Sequence, residues 1–497
     1  MRFRVSFPVV MWVLVFGFIL GATLYYAPSW GLMDDCGNRA ISHRIMMGGQ
    51  PVVDTFREIW NDARGWGIFR PVYWVWVVLG YGVFRDVPVG MYLLVTLMNF
   101  LAMMLWGEVF YRYYGRKSHG HTAAVFLFPL LFFVFTPFWS VFMYLSLQEK
   151  FIILFSPLAL LSFHGIYESK RPQFHLIAAL VWALLALLAK PTGVYLFMVF
   201  GLFALCDIVI WHMERKRSMV VFASTGLIFM LYVFFSFAVQ LKGKYTARYA
   251  NSLMPGLLLE RMADSPMVIK VMAVIALVAG IYWFLRGLIA EDKRPYTFGV
   301  LIPWGLLAYI GLLLPWGFPS YLLCVFAPFL LGIFYPVYQW LCSSNSVLKT
   351  TAHVGMAILI TATMVGVVQP RISRMADIGL VERHMIDAGA ATPGMYFMTS
   401  YEESALTLQA YTGEHVVFLP TAVLSGDMLK AEGFSYIILN DLCAPVTLEN
   451  VRVDEIVYEN RTWVVARVVP DDGGERVFCP KFRRTPLETL AKCLREM

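Results

Sequence analysis

The chain has 497 residues, of which 59% are hydrophobic, 16% aromatic and only 15% charged, and its mean hydropathy is +0.65. A soluble protein of this length cannot bury so much apolar surface, so the composition excludes one and indicates an integral membrane protein. The net charge of +7 excludes a nucleic-acid footprint as well, because the basic residues are scattered singly between apolar runs rather than gathered on one face.

The first run, Phe7 to Tyr26, holds no charged residue and follows Met1-Arg-Phe-Arg4. It is long enough to cross a hydrocarbon core of about 30 Å and too long for the apolar core of a cleaved signal peptide, so it reads as a retained anchor with a cytoplasmic N-terminus. Directly after it comes Trp30-Gly-Leu-Met-Asp-Asp-Cys-Gly-Asn-Arg39, which sets adjacent carboxylates, Asp34 and Asp35, where a spanning helix meets water. The cations Arg39 and Arg44 follow closely, with His43 between them.

An amphipathic helix is expected from Asp54 to Arg64, and Gly65-Trp-Gly-Ile-Phe-Arg-Pro71 then leads into Tyr73-Trp-Val-Trp76. The apolar run Pro71 to Phe84 is too short to span and reads as an interfacial or re-entrant helix. The aromatics Trp66, Tyr73, Trp74 and Trp76 fit an interfacial belt better than a sugar-stacking surface. Further spans are expected at 87–107, 122–140, 148–167, 173–189, 191–210, 219–241, 267–285, 296–314, 321–341 and 350–369, about eleven with the first.

Charge tests that count. With eleven spans, the cytoplasmic segments hold fourteen Lys and Arg residues and the short outer loops six, in the sense that short cytoplasmic loops favour. Were 71–84 a span, every later loop would change sides and the bias would reverse. Residues 28–86 then form a large outer loop, and the tail from 370 to 497 lies outside.

In that tail, 395–398, 415–419 and 436–439 read as strands, 402–411 and 421–432 as helices, and 451–459 with 462–469 as a closing hairpin. The fold class is therefore a polytopic α-helical membrane protein, residues 1–369, with a small extracytoplasmic α/β domain, residues 370–497, in a bacterial inner or plasma membrane. Cys206, Cys324 and Cys342 read as small apolar core residues, whereas Cys36, Cys443, Cys479 and Cys493 lie where an oxidising compartment permits a disulfide. No zinc spacing, Walker loop or Gly-rich dinucleotide fingerprint is present. His43 and His164 read as hydrogen-bonded structural histidines.

Asp34-Asp35 after the first span, Phe69-Arg-Pro71, Leu145-Ser-Leu-Gln-Glu-Lys150, Leu187-Leu-Ala-Lys-Pro-Thr-Gly193 and Pro315-Trp-Gly-Phe-Pro-Ser-Tyr321 follow one another in an order that resembles the glycosyltransferase C superfamily. The likeness is to the branch of protein O-mannosyltransferases and lipid A aminoarabinose transferases. The resemblance implies transfer of a hexosyl or pentosyl group, with inversion, from a polyprenyl-phosphate-linked sugar to a lipid, glycan or protein acceptor on the outer face. It makes Asp34 the general base, Asp35 its support and Glu149 a second carboxylate.

Arg39, Arg70, Lys190, Lys244, Arg248 and Tyr321 are the substrate-binding candidates, the cations being suited to a leaving phosphate. Glu149 has a plainer reading as the partner of Lys150, and Lys242, Lys244 and Arg248 have one as headgroup contacts. Lys190 lies between two apolar runs with almost no loop around it, a position that points to function. A divalent metal is compatible with the superfamily, although two adjacent Asp residues are too few ligands to fix one. Two other classes share the composition. A transporter or flippase would place charge near the bilayer midplane, and a non-catalytic envelope assembly protein would leave Asp34 dispensable.

Overall fold

A computed structural model describes residues 7–26, 34–66, 68–85, 88–114, 125, 128–134, 145, 148–236, 263–290, 293–313, 323–344, 346–369, 372, 395–398, 415–418, 423–440, 446–459 and 463–478. The chain opens with α1 (Phe7–Tyr26), then α2 (Asp34–Met47), α3 (Pro51–Asn61) and α4 (Pro71–Phe84). The helices α5 (Val89–Tyr114), α6 (Glu149–Glu168), α7 (Pro172–Ala189), α8 (Tyr195–Cys206), α9 (Arg215–Phe235) and α10 (Met267–Ile289) follow. The helical part closes with α11 (Leu301–Leu313), α12 (Leu323–Ser344) and α13 (Ser346–Thr363).

Among the described residues, nine helices are long and apolar enough to cross a membrane. An α-helix satisfies its own backbone hydrogen bonds, which is the condition for crossing hydrocarbon. The chain is a multi-pass membrane protein. Residues 298–313, expected as a span, form a shorter apolar helix, and most of the expected span 122–140 lies outside the described residues, which there show a 3₁₀ turn, Phe128–Val134. At fourteen residues α4 reaches only about 21 Å, less than a bilayer core.

Large side chains from several helices fill the core: Trp106 and Phe110 of α5, Phe163 of α6, Phe200 and Phe203 of α8, and Phe329 and Tyr335 of α12 are all buried. Leu227, Met230 and Phe234 of α9 remain exposed, as lipid-facing residues should. α6 and α7 pack as an antiparallel hairpin joined at Ser169–Arg171, so the start of α6 and the end of α7 lie together.

Proline sets several boundaries. Gln50-Pro51, Arg70-Pro71, Arg171-Pro172 and Lys190-Pro191 each place a residue outside the α region before a proline that occupies a first helical position. The proline ring clashes with the preceding residue's α conformation but is pre-shaped for the first turn of a helix.

The tail forms one six-stranded sheet ordered β2-β1-β4-β6-β5-β3. Its strands are β1 (Met395–Met398), β2 (His415–Phe418), β3 (Val423–Ser425), β4 (Phe434–Asn440), β5 (Val446–Glu459) and β6 (Trp463–Phe478). β1 is parallel to β2 and β4, β3 is parallel to β5, and β6 lies antiparallel between β4 and β5.

Two expectations change in detail. The segment 421–432 splits into β3 and a helix, α14 (Gly426–Glu432), whose first turn is capped by the Ser425 hydroxyl accepting from Met428 N–H at 3.2 Å. The hairpin extends beyond 451–469: β6 pairs Glu475 to Phe478 with Glu449 to Val446, past the run Asp471-Asp-Gly-Gly474, which bulges where the register jumps from Val451–Pro470 to Glu449–Glu475. The expected helix 402–411 lies outside the described residues, as do Cys443, Cys479, Cys493 and the side chains of Cys36 and Cys342.

Candidate functional site

The site is built around a turn. Pro191 forces Lys190 into extended backbone (φ −151°, ψ 131°), so α7 stops at Ala189. The chain then folds back on itself: Lys190 N–H donates to the Ala186 carbonyl at 3.0 Å and Gly193 N–H to the Lys190 carbonyl at 2.8 Å. A side chain at Gly193 would come within 2.5 Å of the Ala186 backbone, so the turn requires glycine for close approach.

Held this way, the Lys190 ammonium forms an ion pair with Glu149 at the first position of α6, where an acid also suits the helix dipole. The Glu149 side chain is nearly sealed, at 2% exposure, while the Lys190 side chain retains 16%. A buried pair of this kind is a costly feature inside an apolar bundle unless both charges are satisfied.

Beneath the pair, hydroxyls form a seam into the helices. Thr192 Oγ1 donates to the Tyr309 hydroxyl at 3.3 Å, Tyr309 meets the Tyr195 ring edge to face at 5.5 Å, and Tyr195 donates to Ser156 Oγ at 2.5 Å. Ser156 returns its proton to the Ile152 carbonyl of its own helix. Glu149 and Ser156 are two turns apart on α6, so the seam runs about 10 Å into the bundle. Thr192, Tyr195, Tyr309 and Ser156 escape sequence reasoning, since single hydroxyls in apolar helices carry no pattern; only Thr192 falls inside a motif, Ala189-Lys-Pro-Thr-Gly193.

Lys150 does not take Glu149 as its partner. Buried to 1%, its ammonium binds the Leu145 carbonyl and sits 5.6 Å from the Trp76 ring centre, and the Trp76 indole N–H donates to the same carbonyl at 3.0 Å. Trp76 also packs edge to face on Phe151 at 5.6 Å. By these contacts α4 leans on the end of the bundle that carries Glu149 and Lys190.

α4 in turn carries the rest of the first loop. Ile41 of α2 packs on a small core of Ile59, Tyr73, Trp74 and Val77, the His43 Nδ1 and Tyr81 hydroxyl are hydrogen-bonded at 2.7 Å, and Met46 packs over Gly82. α2 and α4 therefore run in the same direction, and the first turn of α2 lies toward the Pro71 end of α4. Asp34 and Asp35 are the first two residues of that turn, and their side chains, like those of Arg39 and Trp66, lie outside the described residues.

Arg70 is tied to the loop's own acid. Its Nε donates to Asp62 at 2.6 Å, Trp74 Nε1 donates to the same carboxylate at 2.9 Å, and the guanidinium lies 4.5 Å from the Tyr73 ring centre. Tyr73 and Trp74 are buried, so these rings pack the loop rather than forming an exposed belt. Lys242, Lys244, Arg248 and Tyr321 lie outside the described residues.

Away from this end, His164 stacks on Tyr113 at 5.6 Å, is packed among aromatic rings and has its Nε2 3.9 Å from Glu168. The fully buried Asp207 is accounted for by the turn before α9: it accepts from Met213 N–H, Glu214 N–H and the Ser218 hydroxyl. Among the described residues, no three His, Cys, Asp or Glu side chains converge as metal ligands.

No protein-family model matches the chain, and no curated protein does. Among solved structures, ArnT from Cupriavidus metallidurans bound to undecaprenyl phosphate is similar at 13% identity and a TM-score of 0.40, over 92% of this chain and 97% of its own. The same protein in the apo state is similar at 14% identity and a TM-score of 0.40, over 92% and 98%. The Archaeoglobus fulgidus oligosaccharyltransferase in the apo form is similar at 11% identity and a TM-score of 0.48, over 88% of this chain and 70% of its own. The residues described above, not these likenesses, carry the functional reading.

Proposed function

We propose that the chain is a membrane glycosyltransferase that moves a sugar from a polyprenyl-phosphate-linked donor to an acceptor hydroxyl on the extracytoplasmic face. The observation that carries the reading is the Glu149–Lys190 pair sunk in one end of an apolar bundle, with the first loop, headed by Asp34 and Asp35, braced on that same end through Trp76. A donor with an isoprenoid tail cannot leave the bilayer, so its phosphate has to be met where spans and outer loops come together.

In a single displacement the acceptor oxygen attacks the anomeric carbon and the carbon–oxygen bond to phosphate breaks, its electron pair leaving with the phosphate. Asp34 takes the acceptor proton as general base. Lys190 stabilises the charge that grows on the leaving group. Arg39, Arg70, Lys244, Arg248 and Tyr321 complete the donor and acceptor surroundings in this reading, Arg70 by fixing the start of α4 through Asp62. Glu149 acts through Lys190, its ion-pair partner.

The test is sugar transfer by purified variants supplied with a polyprenyl-phosphate sugar. Asp34→Asn keeps shape and removes the basic lone pairs, so transfer should fall by about 10²–10⁴-fold, the usual cost of losing a general base. Asp35→Asn should cost less. Near-normal transfer by the Asp34→Asn protein would sink the assignment.

A further inference from the structure

The ion pair has a direction. The Glu149 side chain is sealed at 2% exposure, whereas the Lys190 side chain keeps 16%. An anion that reaches the pair along this exposed part meets Lys190 before Glu149. Lys190 has not been left as a bare cation, the arrangement that would bind phosphate most tightly.

The proposed reaction, on which this inference rests, gives the arrangement a use. The donor is a phosphodiester with one negative charge; the displaced lipid phosphate is a monoester that, with a second pKa of about 6, carries between −1.5 and −2 near neutrality. A bare buried lysine would hold the product more tightly than the substrate and stall after each turnover. A fixed negative charge behind the lysine penalises the extra charge of the product more than the single charge of the donor, because the repulsion scales with the charge on the incoming group.

We infer that Glu149 is the standing counter-anion that limits the grip of Lys190 on lipid phosphate, a positioning residue whose role is to let the spent carrier go. Thr192, two residues after the lysine, donates its hydroxyl to Tyr309 and brings no charge to this turn.

The experiment titrates undecaprenyl phosphate onto the full-length chain in nanodiscs of zwitterionic lipid, beside undecaprenol and dioleoyl phosphatidic acid. Glu149→Gln should bind undecaprenyl phosphate about a hundredfold more tightly than the wild type, the scale of one like charge about 6 Å away at an effective dielectric of about 20. Binding of undecaprenol, which has no phosphate, should not change. The reversed pair, Glu149→Lys with Lys190→Glu, keeps an ion pair in place while putting the anion at the more exposed position, and should bind undecaprenyl phosphate no better than undecaprenol. A merely structural salt bridge would tolerate that reversal.

Equal or weaker binding by Glu149→Gln overturns the inference, and so does wild-type affinity in the reversed pair. If Glu149→Gln does not fold, the reversed pair decides alone. Tightening toward phosphatidic acid without any binding of undecaprenyl phosphate would keep Glu149 in its role for lipid phosphate and remove the transferase reading. Binding of undecaprenyl phosphate that is indifferent to both variants would remove the inference and leave that reading to the Asp34 measurement. Absence of phosphate binding in every form overturns it as well.

Discussion

At the scale of single residues, Lys190 is the position where sequence and geometry converge. Its interaction should strengthen as the leaving group gains charge, so Lys190→Met is expected to lower turnover by about 10²–10³-fold while changing donor KM little. The single variant also strands Glu149 as a buried unpaired charge, at about 3–5 kcal/mol of stability, so Glu149→Gln/Lys190→Met is the proper companion. Unchanged turnover in both, with intact expression, would return Lys190 to a structural role. Lys190 was legible because a lone cation between two apolar runs is conspicuous; its partner was not, because Glu149 has Lys150 beside it and only folding brings Lys190 to it across 41 residues. The same limit hid Asp62, an unremarkable acid in the sequence that proves to hold both Arg70 and Trp74.

At the scale of elements, the helix boundaries were readable where proline wrote them. Arg70, Arg171 and Lys190 each stand immediately before a proline, which takes a cation out of the helix and fixes its backbone at the joint. The Lys190 joint is the tightest, since Gly193 lies against the backbone of Ala186. Gly193→Ala should therefore cost about 1–3 kcal/mol of stability and displace Lys190 enough to depress transfer. Thermal unfolding together with the transfer rate checks this, and wild-type values in both would show that the turn has slack. Elements in the tail were less legible. The strand β6 resumes its pairing with β5 at Glu475, beyond two aspartates and two glycines that bulge out of the ladder, a fact of pairing that no local window contains.

For the whole molecule, composition settled the membrane class, and the distribution of Lys and Arg predicts which way the chain threads. Fourteen cations against six, counted on eleven spans, predict a tail outside the cytoplasm. A reporter active only in the cytoplasm, fused after Met497, should be silent. Strong activity would reverse the topology and with it the side on which Glu149 and Lys190 work. The bundle was legible because each span carries its own apolar signal. The brace between the first loop and the bundle was not, since it depends on one indole N–H reaching one carbonyl 69 residues away.

The ion pair also bears on how the protein is made. Glu149 enters the nascent bundle at the start of α6, and its cation is not synthesised until α6, the Ser169–Arg171 connection and α7 have all followed. Neither charge is at ease in the membrane edge alone, so the two helices are best inserted as one hairpin that neutralises itself on closing. A chain interrupted before Lys190 would lack the cation that neutralises Glu149 at the edge of the bundle.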